Sequence, residues 1–178
     1  MKAIQKADLY RYDKEQSCLK GYWKNYGFRY TYFLRLASES HGILYIMYKL
    51  ILKHMTIKYG YEISDKMEIG KGLAIMHIGG IAINHHAKIG CNCTIYQGVT
   101  IGGDVGNKSG APIIGDKVWI GPNAVLAGKI VIGSNVLIAG NAYVNFDVPD
   151  NSMVLGNPGV IKSWNRIDQY IEHILPEA

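Results

Sequence analysis

The chain offers six imidazoles, at His41, His54, His77, His85, His86 and His173. Imidazole titrates near neutrality, so a histidine with space beside it suits the removal of a proton from a substrate hydroxyl. His77 has that space. It stands in the run IMHIGG, two residues after Ile75, with Gly79 and Gly80 behind it. A base also needs a group to hold its second ring nitrogen, and Glu62, fifteen residues upstream, is the candidate carboxylate. His85 and His86 follow as an adjacent pair, to be read either as substrate contacts or as a solvated corner. Neighbouring side chains of a strand point to opposite faces, so His77, His85 and His86 do not make a zinc triad, and no metal is expected. His41, His54 and His173 read as surface groups. Of the cysteines, Cys18 stands apart and Cys91 and Cys93 form a C-x-C with no activating base nearby. A thiolate nucleophile is therefore not expected.

The elements that must position these groups are written as a six-residue beat. An aliphatic residue falls at Ile63, Ile69, Ile75 and Ile81, then at Ile83, Ile89, Ile95 and Ile101. A third register runs Ile114, Ile120, Leu126, Ile132, Ile138 and Val144. Six residues fit one short strand and a bend. Self-similarity at such a period predicts a chain that coils, three units closing one turn and successive turns pairing as parallel sheet. The small residues after each aliphatic, as in IGCN, IGPN and IGSN, fall at the bends, where a positive φ favours glycine. The slip between Ile81 and Ile83 predicts an adjusted corner. The longer slip before Ile114 predicts a loop at about 103–112 that bulges from the coil and is placed for function. Tyr96 and Gln97 lie nearly one turn beyond His77 and are expected on the same face. Gly102 and Gly103 open the loop and let a ligand approach the backbone.

Outside the beat, residues 1–60 predict helices near 5–18, 25–38 and 41–58, and 161–178 predicts a helical tail through Ile167, Ile171 and Ile174. The run ILYIMYKLILKHM is too short to cross a bilayer, which takes about 20 apolar residues. It reads as a packing helix or as one lying at a membrane interface, so peripheral membrane contact is left open. The net charge of +5 suits an anionic ligand. The absence of a dense Lys/Arg run excludes nucleic acid as a partner. An odd cysteine count and an N-terminus without an apolar leader core predict a cytoplasmic protein.

The segments GKGLAIMHIGGIAIN, AKIGCNCTIYQGVTIGG, IGDKVWIGPNAVLAG and the closing VPDNSMVLGNPGVI resemble the hexapeptide-repeat acyltransferases. The nearest resemblance is to serine acetyltransferases and to sugar and exopolysaccharide O-acetyltransferases. It implies a mainly β fold: a left-handed parallel β-helix over 61–160, with a short α-helical N-terminal segment and a C-terminal helix. It also implies a homotrimer using acetyl-CoA, with His77 as general base and Glu62 at the place of the orienting carboxylate. The pantetheine arm would follow Gly121, Pro122, Ala139 and Gly140, and Lys162 would face the CoA phosphates.

Two departures bear on the acceptor. Serine acetyltransferases carry Asp where this chain has Met76, and Arg-His where it has Gly110 and Ala111. An amino acid brings an ammonium and a carboxylate, and a charged hydrogen bond is worth about 1.5–3 kcal/mol. The expectation is therefore an O-acetyltransferase for a carbohydrate hydroxyl, of capsular or exopolysaccharide type, with a short, divergent serine O-acetyltransferase as the alternative.

Overall fold

The structure, a computed structural model, describes residues 1–14, 17–103, 110–164 and 166–174. Four helices come first: α1 (Ala3–Tyr10), α2 (Cys18–Lys24), α3 (Tyr26–Glu39) and α4 (Gly42–Tyr59). The first expected helix is divided in two: a turn at Arg11–Tyr12 follows α1, and Ser17 then starts α2 by accepting from the Lys20 amide. Gly60, in the left-handed region at φ 73°, ends α4 and turns the chain directly into the first strand.

The strands are short. They are β1 (Tyr61–Glu62), β2 (Ala74–Ile75), β3 (Ile81–Ile83), β4 (Lys88–Ile89), β5 (Thr94–Ile95), β6 (Thr100–Gly102) and β7 (Ile113–Ile114). After them come β8 (Trp119–Ile120), β9 (Val125–Ala127), β10 (Val131–Ile132), β11 (Leu137–Ile138), β12 (Tyr143–Val144), β13 (Ser152–Leu155) and β14 (Val160–Ser163). They form three sheets, the walls of a prism. One wall is ordered β1-β3-β6-β9-β12, the second β10-β7-β4 and the third β14-β13-β11-β8-β5-β2. All pairings are parallel except β13 with β14. The aliphatic beat is the interior: Ile75, Ile95, Ile120, Ile138 and Val154 stand opposite one another down the third wall and are fully buried. The two-residue slip is taken up at the corner that carries His77. Ile83, not Ile81, stands opposite Ile101.

The corners divide their work differently from expectation. The glycine after each aliphatic is needed mainly for close approach of the turns. A Cβ on Gly115 would lie 2.9 Å from the Gly133 carbonyl, and one on Gly121 would lie 2.6 Å from the Gly140 nitrogen. The left-handed residue comes two places later and is usually asparagine: Asn92, Asn123, Asn135, Asn141 and Asn151 have φ between 55° and 59°. Asparagine tolerates this region better than other residues with a side chain.

The tail also departs from expectation. After β13 the chain reverses at Asn157–Gly159 and runs back as antiparallel β14. What remains among the described residues makes one 3-10 turn, Ile167–Gln169, rather than an α-helix. The i, i+4 spacing still serves packing, because Ile167 and Ile171 are buried against Leu137 on the outside of the third wall.

The helical segment is joined to the first turn of the prism by buried polar contacts. Asp8 and Arg35 form an ion pair at 3.0 Å with both side chains buried. Asp8 Oδ1 also accepts from the amides of Gly72 and Leu73, and Arg35 donates to the carbonyls of Ile69 and Gly70. Burial pushes the Asp8 carboxyl above the ordinary range, against the pull of Arg35 and the two amides. Tyr12 Oη donates to the Ile75 carbonyl and accepts from the Ile75 amide, at 2.9 and 2.8 Å. Removing one partner of a buried ion pair leaves the other uncompensated. Asp8→Ala is expected to lower stability by about 3–5 kcal/mol, read as a fall in the urea midpoint at unchanged slope.

Candidate active site

His77 sits at the corner between β2 and β3, and its side chain is exposed, as are Met76 and Ile78 beside it. Regular corners of this prism are two residues shorter. The extra length lifts His77 off the wall, and Gly79 supplies the backbone this needs, with φ 136°. Two contacts hold the position. Tyr61, fully buried at the end of the core, donates its hydroxyl to the His77 carbonyl at 3.0 Å. The Tyr96 ring lies 5.6 Å from the imidazole. Tyr96 in turn packs on Trp119 at 4.9 Å, and Trp119 on Tyr170 at 5.3 Å, so an aromatic file runs from the corner down the third wall to the tail. Gln97 lies against Gly79, where an added Cβ would meet the Gln97 Cβ at 3.4 Å. Its Oε1 is buried without a hydrogen-bond partner among the described residues. Tyr96 and Gln97 thus stand at His77, as the spacing led one to expect.

Glu62 is exposed on the first wall, with its backbone opposite Ala82 on the strand that follows the His77 corner, and makes no hydrogen bond or ion pair among the described residues. His85 and His86 occupy the next corner, between β3 and β4. Both are exposed, with rings 3.9 Å apart, and the His86 amide bonds to Asn84 Oδ1. Gly102 and Gly103 lie at this same corner one turn further along, where a Cβ on Gly103 would meet Asn84 and Gly110. The candidate residues are therefore divided between two edges of the prism. The loop read at 103–112 has residues 104–109, Lys108 among them, outside the described residues.

Of the four residues assigned to the pantetheine arm, three have main-chain groups committed to the protein. The Gly121 and Ala139 amides donate to Ile138 and Val154, and the Pro122 carbonyl accepts from Asn141. Gly140 alone among them has no such bond among the described residues. Lys162 is exposed on β14, opposite Met153. Cys93 faces the core, and burial pushes its thiol up to about 12. Among the described residues no group of three or more His, Cys, Asp or Glu side chains could hold a metal ion. Among the described residues no helix is long and apolar enough to cross a membrane.

Two residues of this region escape a reading by motif. Tyr61 belongs to no repeat position, although an aromatic at the first turn is a signal that the core needs closing there. Lys129 lies with its stem over Gly110, whose added Cβ would meet the lysine Cβ at 2.9 Å. Its ammonium makes no ion pair among the described residues, and it shares a 340 Å³ cavity with Gly103, Tyr143 and Asn145.

Comparison with known proteins agrees with this architecture. Residues 111–145 match the bacterial transferase hexapeptide family (six repeats). A serine acetyltransferase of Staphylococcus xylosus is 40% identical over 133 residues, which is 72% of this chain and 61% of that protein. A chloroplastic serine acetyltransferase of Arabidopsis thaliana is 37% identical over 69% of this chain and 42% of its own length. The chain thus spans less than two thirds of these curated relatives. The crystal structure of Neisseria gonorrhoeae serine acetyltransferase in complex with serine superposes with a TM-score of 0.72 at 31% identity, over 88% of this chain and 67% of that one. The chain belongs to the hexapeptide-repeat transferase family, and its fold is the left-handed parallel β-helix of that family.

These similarities overturn the carbohydrate acceptor expected from Met76, Gly110 and Ala111, because the matched relatives and structures are serine acetyltransferases. A count of charges along the aligned positions leaves out side chains that arrive from other turns, such as Lys129, whose stem lies over Gly110 from the following turn.

A thiol so deeply buried should not react in the native protein. Iodoacetamide at pH 8 is expected to label Cys18 and Cys91, both partly accessible, and to spare Cys93 until denaturant is added. Peptide mass spectrometry reads the difference.

Proposed function

We propose that this chain transfers the acetyl group of acetyl-CoA to the hydroxyl of L-serine. The observation that carries the reading is the lengthened corner that presents His77, open to solvent and backed by Gly79, in a chain similar to serine acetyltransferases. The His77 ring takes the proton from the serine hydroxyl as that oxygen attacks the thioester carbonyl. The tetrahedral oxyanion collapses with cleavage of the C–S bond, and the imidazolium returns its proton to the departing thiolate. The products are O-acetylserine and CoA, with no covalent enzyme intermediate and no nucleophilic cysteine.

Placement supports the remaining roles. Gln97 Oε1, a buried acceptor beside the corner, receives the serine ammonium. Lys129 receives the carboxylate. Gly140 offers main-chain groups to the pantetheine arm, and Lys162 faces the CoA phosphates. Because the candidate residues occupy two edges of one prism, a neighbouring copy closes the site, His77 of one subunit facing the edge of His85, Gly102, Gly103 and Lys129 of the next. A homotrimer satisfies this for all three copies at once. Glu62, on the wall between the two edges, is a positioning residue for the imidazole in that assembly.

CoA release from acetyl-CoA with L-serine tests the reading, and lack of turnover overturns it. His77→Ala is expected to lower kcat by about 10²–10⁴-fold. Lys129→Met should raise the KM for serine by about tenfold, the equivalent of one charged hydrogen bond, with kcat little changed. Glu62→Gln should lower kcat and displace the acid limb of the pH–rate profile, with Glu62→Asp restoring both. An unmoved limb removes Glu62 from the site.

A further inference from the structure

α4 is apolar on two opposite faces. Leu52, Met55 and Tyr59 pack inward on α3 and the prism. On the other side Ile43, Ile46, Met47, Leu50 and Ile57 form a second stripe at helical spacing, and Ile43, Leu50 and Ile57 are 78%, 64% and 79% exposed. α2 carries a separate exposed pair, Leu19 and Trp23, which are 71% and 69% exposed. Isolated exposed apolar residues are ordinary, but a stripe running the length of one helix face marks a surface that is covered in use.

The charge around the stripe says what covers it. Neither α2 nor α4 contains an aspartate or glutamate. Lys20, Lys24, Lys53 and Lys58 are exposed around the apolar side chains. The nearby Asp65 is buried and neutralised by Lys49 at 2.5 Å. Two copies meeting face to face through this surface, as in a two-fold contact, would bring lysines together with no carboxylate to answer them. An anionic lipid surface answers them directly, and lysines can extend to headgroups while their stems lie along the hydrocarbon. Beside the stripe, a 470 Å³ groove between α4 and the first turn is lined by Tyr45, Ile46, Leu50 and Ile63 together with Lys49, Lys53 and Asp65.

We infer that the outer face of α4 lies on an anionic membrane surface and holds the enzyme there peripherally. This stands apart from the identity of the acceptor, since none of these residues belongs to the acetyl-transfer site.

The test is flotation of the purified full-length chain with vesicles of equal parts phosphatidylglycerol and phosphatidylcholine, set against phosphatidylcholine alone. Binding is expected only to the anionic vesicles, weakening as salt is raised. Leu50→Glu and Ile57→Glu should each reduce it about tenfold or more, and the double variant Lys53→Glu/Lys58→Glu should reduce it as well. An unchanged circular dichroism spectrum shows that the variants fold. Failure to float with anionic vesicles at low salt overturns the inference, as does full binding by Leu50→Glu. A fall in solution mass of Leu50→Glu by light scattering overturns it too, because the face would then be an interface between copies.

Discussion

The constraint on which this molecule rests is the spacing between successive turns. Each turn must approach the next closely enough for strands of two or three residues to pair, and strands so short stand only because the pairing repeats along a whole wall. The glycines at 90, 115, 121 and 133 enforce that spacing by having nothing where the next turn's backbone passes. The isoleucines then stack without choice, since a fixed rise brings each side chain over the last. Stability of such a stack is a sum of neighbour terms, so no single turn is indispensable and one corner can depart from the rule.

The departure is at His77. A corner with two additional residues would unpair its strand in an isolated sheet. Here the pairing resumes, with Ile83 opposite Ile101, because the turns on either side are already fixed. The site is therefore an irregularity that a regular lattice tolerates. Tyr61 shows how that tolerance is used: a large side chain closes the core end and, with its hydroxyl, takes hold of the His77 carbonyl. One residue completes the packing and sets the His77 corner.

What the sequence discloses follows from what repeats. Every inward aliphatic named from the beat is buried or partly buried, down to Ile69 at the open end. The slip at Ile81–Ile83 locates the irregular corner, and the same count places Tyr96 at His77. Glycine could not be assigned correctly by the same route, since a positive φ and a close approach both ask for it; the two demands fall on different residues here, and asparagine takes the first. The division of candidate residues between two edges is also hidden, because sequence distance fixes the turn but the corner depends on the lengthened segment at His77. Lys129 illustrates what a reading along the chain leaves out. Its stem reaches Gly110 only through the stacking of turns, so no motif read along the chain contains both.

The N-terminal helices complete the same argument about edges. The first turn of a β-helix presents an unpaired strand, and an open edge of that kind invites pairing with another chain. Tyr12 answers the Ile75 amide and carbonyl with one hydroxyl, while Arg35 and Asp8 answer the main chain from Ile69 to Leu73. The absence of a side chain at Gly27 lets α3 come against Ile75 closely enough for this to happen. The strand so capped is β2, and His77 stands two residues beyond its end. The helices therefore fix His77 through the strand that leads to it. Loosening them should move this corner before it disturbs the distant turns, whose pairing is complete without them.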